Sequence, residues 1–483
     1  MTAAAGASRG QVPGAAVTDA AELLPAGWER VPRWQGWEFV AIFVTAVIAL
    51  VLRLHEDTRA PQLADNQDPL QFAWSGMTLI TRHVPYAWEV FGHSYTYDFT
   101  LHLNGTTYHM THPWFSHPPL FSLLVGGWAY LMGAREFADV SAAMVRPVAI
   151  ALSIVSLVLA YMLLRRLLGA GPAVVGMIAF AVSPGAVLFG REVETEALLA
   201  PLMLLSLLLV HDVVTRSKHR LTIPVLLLIC VAMPLTKVTG IVIAGSLGLI
   251  LLSTGHWRLA LGCGAAGITG LALYALYGAL FDWQLFLKVL AEWRDEHRHG
   301  VMAGLGFITE SAGIGGGFRD GWYHLGWIGL GYLAIRRSSG QASSLVAWPC
   351  LVYALGVALL GDANVQGWFG WYRIVLYPLL YGSAALLAWE GIRRPSIPAM
   401  LVVIVLAGAT ATEMVLLRQW KPDPYILSAL VGLVLVPGAI SHWRVASIRW
   451  RYGARFAAGA AVAAILVASA VTSWNLGDVY RQL

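Results

Sequence analysis

Apolar runs long enough to cross a bilayer recur along almost the whole chain, and no other feature constrains its fold as tightly. A hydrocarbon core of roughly 30 Å takes about 20 helical residues to cross, and about thirteen runs approach that length. They lie near 38–54, 147–164, 172–189, 197–213, 221–235, 238–253, 259–281, 323–335, 345–361, 374–391, 397–416, 424–441 and 456–473. Only 12% of the residues are charged, against about 25% in a soluble domain. The expected fold is therefore an all-α polytopic membrane protein. The first 37 residues, rich in Ala, Gly and Pro, read as a disordered cytoplasmic tail. No cleavable signal peptide is expected, because the first apolar run starts late and is long enough to stay as an anchor.

The distribution of Lys and Arg beside the runs orients the chain. Sixteen fall on one set of connections, among them Arg165, Arg166, Arg393 and Arg394; the opposite short connections hold five, Arg191, Lys237, Arg373, Arg418 and Lys421. The first set, with the N-terminus, is expected in the cytoplasm. The net charge of +5 reports this bias, so nucleic acid is not an expected partner. Cys230, Cys263 and Cys350 each fall within a predicted span and read as small apolar residues.

With that orientation two long segments, 55–146 and 282–322, face outward. Three divisions follow: the tail 1–37, a membrane module 38–391 carrying both outer loops, and further spans in 392–483. In the first loop, "DPLQFAWSGMTLI" (68–80) has the one-sided apolar spacing of a helix lying in the interface. "YTYDFTLHLNGTTYHMTH" (95–112) alternates around Asn104-Gly105, a hairpin signal that sets Leu101 opposite Tyr108 and Phe99 opposite Met110. The apolar stretch 118–133 is too short to cross comfortably, and crossing would invert the arginine bias. It is expected as a second interfacial helix, with the prolines of "HPPL" (117–120) at its first turn.

Polar groups on the outer side are few. Asp65 and Asp68 follow the first span; either is placed to cap a helix or to act as a general base. "GREVETEALL" (190–199) holds Arg191, Glu192, Glu194 and Glu196, and Glu196 enters a span, where an acid must be paired or used. Lys237 lies at an outer turn, either snorkelling to headgroups or holding an anion. Tyr372 and Arg373 stand at the outer start of the tenth span beside Trp368 and Trp371. Together these suit transfer of a group from a lipid phosphate: cations stabilise the departing phosphate and a carboxylate takes the proton of the attacking hydroxyl.

His93, His102, His109, His112 and His117 crowd the first loop. A divalent metal ion held by Asp65, Asp68, His117 and Glu196 is the one cofactor these groups suggest, against the commoner reading of loop histidines that only hydrogen-bond. The second outer loop begins as a charged amphipathic helix with Glu292, Arg294, Asp295, Glu296 and Arg298, then turns glycine-rich. Its "GIGGG" run lacks the flanks of a nucleotide-binding loop.

In order, an acid after the first span, "HPPL", "RPVAIALSIVSLVLAYMLLRRLLG" (146–169), "GREVETEALL", "LTK" (235–237) and "WYRIVLYP" (371–378) resemble the C-type glycosyltransferases that use polyprenyl-phosphate sugars. The likeness is to family 39, with its protein O-mannosyltransferases and lipid A aminoarabinose transferase. The resemblance covers roughly residues 38 to 380. It implies a GT-C-like bundle of about thirteen spans, with interfacial helices and a small hairpin in the first outer loop. The family's first motif is an Asp-Glu pair with an aromatic four residues after the Asp; Asp68 and Phe72 fit the spacing with Pro69 in place of the Glu, and Asp65-Asn66 is the competing alignment. Arg191 and Glu196 match a second motif in which the family carries Asp. Lys237 and Arg373 match positions assigned to the donor phosphate, with Tyr372, His117 and Glu194 beside them. The implied activity is transfer of a sugar from a polyprenyl-phosphate donor to a hydroxyl of a protein, lipid or glycan, with inversion, on the outer face of the plasma membrane. A transporter or flippase of a lipid-linked glycan is the alternative; it predicts charges buried at mid-membrane and an internal repeat.

Overall fold

The computed structural model describes residues 34–61, 68–89, 95–103, 105–215, 220–296, 320–335, 343–360, 370–416 and 448–477, with a few single positions besides. Asp65, His93, Asn104, the expected span 424–441 and the glycine-rich part of the second loop lie outside the described residues. The helices are α1 (Gly36–Leu54), α2 (Asp68–Arg82), α3 (Pro119–Leu131), α4 (Ala142–Leu168), α5 (Ala170–Val182), α6 (Pro184–Phe189), α7 (Thr195–Thr215), α8 (Thr222–Thr236), α9 (Gly240–Ser253), α10 (Trp257–Phe281), α11 (Trp283–Glu296), α12 (Gly321–Ile335), α13 (Trp348–Leu360), α14 (Tyr377–Arg393), α15 (Ile397–Leu416) and α16 (Ile448–Trp474). Strands β1 (Ala87–Trp88), β2 (Phe99–Leu103) and β3 (Thr106–Thr111) form one small sheet. The protein is an all-α membrane bundle. Six helices among the described residues, α1, α4, α7, α10, α15 and α16, are long and apolar enough to cross alone, and shorter apolar helices fill the space between them.

The run expected as one span over 172–189 is two helices. Pro184 has no amide hydrogen and cannot continue α5, so the carbonyls at the break need other donors. Arg53, buried in α1, supplies them: its guanidinium reaches the oxygens of Phe180 (3.2 Å), Ala181 (3.0 Å) and Ala186 (3.2 Å). Ser473 of α16 donates to Val182 at 2.6 Å, and Trp474 stacks on His55 at 3.6 Å. Two more buried arginines fix the chain that leaves α1. Arg146 donates to the carbonyls of Asp57 and Pro61. Arg191 donates to those of Leu52 (2.6 Å), His55 (2.8 Å) and Ala60 (2.8 Å). At the opposite end of the bundle Arg165 closes on Glu38 with contacts of 2.6 and 2.9 Å.

The first loop builds a second apolar core. Glycines let α2 and α3 touch backbone to backbone: a Cβ on Gly126 would lie 2.2 Å from the Met77 nitrogen, and one on Gly76 would lie 1.7 Å from the Ser122 oxygen. The hairpin has the expected register, Phe99 opposite Met110 and Leu101 opposite Tyr108, and Gly105 turns it with φ of +79°. Strand β1, too short to show in the alternation, extends β3 on its other edge. This sheet corrects one expectation. Helix α2 was expected to bury one side, yet Pro69 through Thr78 are all buried, because the sheet covers the face that α3 does not; Trp74 packs edge-on against Tyr108 at 5.2 Å. Pro118 and Pro119 stand at the start of α3 as expected.

The close approach can be tested by adding one methyl group. Gly126→Ala is expected to cost about 3 kcal/mol through overpacking and to lower the unfolding temperature of the detergent-solubilised protein. Gly127→Ala, whose Cβ would meet only the end of Ile80 at 3.6 Å, is expected to leave that temperature unchanged.

Candidate active site

Four separate elements deliver the polar groups that sequence placed on one side, and three of them do so at helix ends. Lys237 ends α8 in an extended conformation. The turn into α9 is so tight that a Cβ on Gly240 would lie 2.3 Å from the Met233 oxygen. That geometry turns the lysine inward rather than towards headgroups. Its ammonium meets Glu196 Oε1 at 2.6 Å and lies 3.8 Å from the ring centroid of Tyr372. Glu196, in the first turn of α7, is completely buried, and its second oxygen accepts from the Thr195 hydroxyl at 2.9 Å. Tyr372 and Arg373 share a single 3-10 turn, Gly370–Arg373. Asp68 opens α2, and its carboxyl shares a hydrogen bond with that of Glu194 while sensing the charges of Lys237 and Glu196. Asp68, Glu194, Glu196, Lys237 and Tyr372 thus form one cluster.

Burial sets the electrostatics. Desolvation pushes the Asp68 carboxyl above the ordinary carboxylate range, and the repulsion of Glu196 adds to this; the Glu194 hydrogen bond and Lys237 pull the other way without cancelling it. Burial also works against the Lys237 ammonium, but Glu196, Tyr372 and Glu194 outweigh it and hold the lysine protonated beyond its usual range. The site therefore keeps one fixed cation next to a pair of carboxyls that compete for a proton.

The other predicted residues are distributed around this cluster. Arg373 is buried, with its guanidinium 5.6 Å from the Tyr323 ring. His117 packs on Phe72 at 5.2 Å and on Trp114 at 5.7 Å, one turn of α2 from Asp68. Arg191 is engaged by three backbone carbonyls. Among the described residues no three His, Cys, Asp or Glu side chains come together to hold a metal. The position facing Glu196 that a cation would need is taken by the ammonium of Lys237. His102 pairs with Thr107 at 3.0 Å, His109 lies against Tyr97 at 4.8 Å, and His112 contacts Asp98.

Sequence reasoning missed three groups. Glu89 is buried in the sheet unit and accepts from Trp114 Nε1 at 3.1 Å and from Ser116; nothing in its local pattern marks it. Tyr353 of α13 lies close enough to Glu196 and Tyr372 to sense both, and looked like one more aromatic in an apolar run. Asp320 caps α12; an Asp just ahead of an apolar run is a readable start signal.

The bundle, the sheet-bearing first loop and this cluster define a polytopic membrane protein with the C-type glycosyltransferase fold. The chain is similar over 92% of its length to ArnT from Cupriavidus metallidurans, covering 78% of that protein, with a TM-score of 0.52 and 16% identity in the apo state. Against ArnT bound to undecaprenyl phosphate the coverage and TM-score are the same at 17% identity. The archaeal oligosaccharyltransferase AglB from Archaeoglobus fulgidus, in complex with an inhibitory peptide and a dolichol-phosphate, is covered over 56% of its chain by 88% of this one, with a TM-score of 0.47 and 12% identity. Residues 116–277 match the family described as dolichyl-phosphate-mannose-protein mannosyltransferase, so the resemblance seen in the motifs is supported by both sequence family and fold. No curated protein matches the chain.

Removing one partner of the central ion pair strands a buried charge. Lys237→Met is expected to cost about 3–5 kcal/mol. The double variant Lys237→Met, Glu196→Gln is expected to recover most of that loss. A thermal-unfolding double-mutant cycle in detergent reads the difference.

Proposed function

We propose that this protein is a glycosyltransferase that moves a sugar from a polyprenyl-phosphate carrier to an acceptor hydroxyl. The observation that carries the reading is a desolvated carboxyl, Asp68, gathered with a permanently charged buried lysine, Lys237, at the end of the bundle that bears the first loop. The acceptor oxygen attacks the anomeric carbon as the bond from that carbon to the phosphate oxygen breaks, and the proton of the hydroxyl passes to Asp68. A single displacement of this kind inverts the anomeric centre. Lys237 and Arg373 hold the phosphate and balance the charge it gains on departure. Glu196 anchors Lys237, and Tyr372 covers it; His117 and Glu194 border the acceptor side.

The catalytic module in this reading spans residues 38–391, and 392–483 braces it. The Lys and Arg bias puts the active end on the extracytoplasmic side of the plasma (inner) membrane, where a lipid-linked donor rather than a nucleotide sugar is the available source. Acceptors of protein, lipid or glycan type all present the required hydroxyl.

Reconstituted protein supplied with a radiolabelled polyprenyl-phosphate sugar and membrane acceptors tests the reading. Asp68→Asn is expected to lower transfer by at least about 100-fold; adding Asp65→Asn covers the competing alignment. Full activity in the double variant would falsify the assignment of the base.

The pH profile provides a second test. A base works only when ionised, so the rate is expected to rise with pH through an inflection above the ordinary carboxylate value of about 4. Glu194→Gln keeps a hydrogen-bond donor beside Asp68 but removes the competing acid, and is expected to move that inflection to lower pH. An inflection that stays in place would mean the two carboxyls do not share the proton.

A further inference from the structure

A second cluster of buried polar groups surrounds the start of α12, next to Arg373. Asp320 holds the start of α12: its Oδ1 accepts the amides of Trp322 (3.0 Å) and Tyr323 (3.2 Å), and its Oδ2 accepts the hydroxyls of Ser183 (3.1 Å) and Tyr381. Gly321 lets α12 lie directly on α15, since a Cβ there would come 2.7 Å from the Ala409 Cβ. Glu413 sits one turn beyond Ala409 on the same helix face, which brings it beside Asp320, and the two carboxyls repel. Asp320 is 5% exposed and Glu413 3%. Tyr377, 1% exposed, senses Asp320, Arg373, Tyr323 and Glu413, and its ring lies 5.6 Å from that of Tyr323.

Two polar atoms of this cluster, the Tyr377 hydroxyl and Glu413 Oε1, are buried without a hydrogen-bond partner among the described residues. Native interiors satisfy almost all such groups, so a concentration of them points to something that binds there. Their chemistry narrows what it is. A carboxyl accepts, and donates when protonated, and the phenol does both. Sugar hydroxyls both donate and accept, and the aromatic rings of Tyr323 and Tyr377 offer an apolar wall for a sugar face.

We propose that Glu413 and Tyr377 read the hydroxyls of the sugar carried on the lipid phosphate, making this cluster part of the donor-sugar subsite. The assignment rests on the glycosyl-transfer reading, in which Arg373, next to Tyr323 and Tyr377, holds the phosphate to which that sugar is joined. Asp320 is a positioning residue: both its oxygens are engaged in holding α12 and Tyr381.

The full chain in lipid nanodiscs, titrated with undecaprenyl phosphate and with its glucosyl, mannosyl and galactosyl derivatives, tests it by native mass spectrometry. The wild type is expected to bind the best of the three glycosylated lipids at least tenfold more tightly than the bare one. Tyr377→Phe and Glu413→Gln, both nearly volume-conserving, are expected to erase that preference while leaving affinity for the bare lipid within twofold. Variants that keep the preference, or that lose affinity for the bare lipid equally, overturn the subsite. Equal binding of all four lipids by the wild type also overturns it and leaves glycosyl transfer standing; binding of none removes both.

Discussion

A charge buried in an apolar bundle must find an opposite charge or a set of dipoles, and that requirement organises this protein. Lys237 and Glu196 come from helices α8 and α7, and their contact of 2.6 Å fixes how those helices meet. Neither charge is tolerable alone at that depth. The pair therefore sets a register between helices whose buried faces are largely apolar and would pack in several ways with similar energy. Because Lys237 is also capped by the Tyr372 ring, the same contact draws in the turn between α13 and α14. One ion pair thus gathers three remote stretches of sequence.

The arginines obey the same rule with different partners. Arg53 and Arg191 are matched by carbonyl oxygens that irregular backbone leaves without donors. Each solves two problems at once, since the charge is solvated by dipoles and the broken helix is satisfied. Non-helical backbone next to the site is affordable only because these arginines are there. Arg191 is a buried cation met by backbone carbonyls, where the buried cation Lys237 is met by a carboxylate.

Much of this was legible in the sequence, and the boundary is physical. Six of the expected spans are legible from hydropathy, because a helix that crosses lipid by itself must be long and apolar. The hairpin register followed from two-residue alternation around a turn that needs a glycine at positive φ. The gathering of Asp68, Glu196 and Lys237 followed from sidedness, because few charges occupy that end and each needs a partner. What was hidden depends on three-dimensional adjacency without a one-dimensional signature. The full burial of α2 needed a sheet folding over it, and Glu89 and Tyr353 acquire their surroundings from elements far away in the chain. The break at Pro184 was visible as a proline but not as a break, since prolines are tolerated in membrane helices when a neighbour such as Arg53 supplies the missing donors.

Tyr372 and Arg373 are adjacent in sequence, yet they meet different groups. In a 3-10 turn successive side chains diverge by about 120°, so one turn directs Tyr372 to Lys237 and Arg373 to Tyr323. An α-helix would have placed neighbours about 100° apart, and an extended chain would have sent them to opposite faces of a surface. The tight turn instead gives Tyr372 to Lys237 and Arg373 to the aromatic groups around Tyr323. In the proposed reaction the phosphate sits where the reach of Lys237 and that of Arg373 overlap. In that reading the base belongs to the Lys237 cluster and the sugar-reading groups to the Tyr323 side, so the anomeric carbon must lie within reach of both, and inversion follows from the single displacement itself.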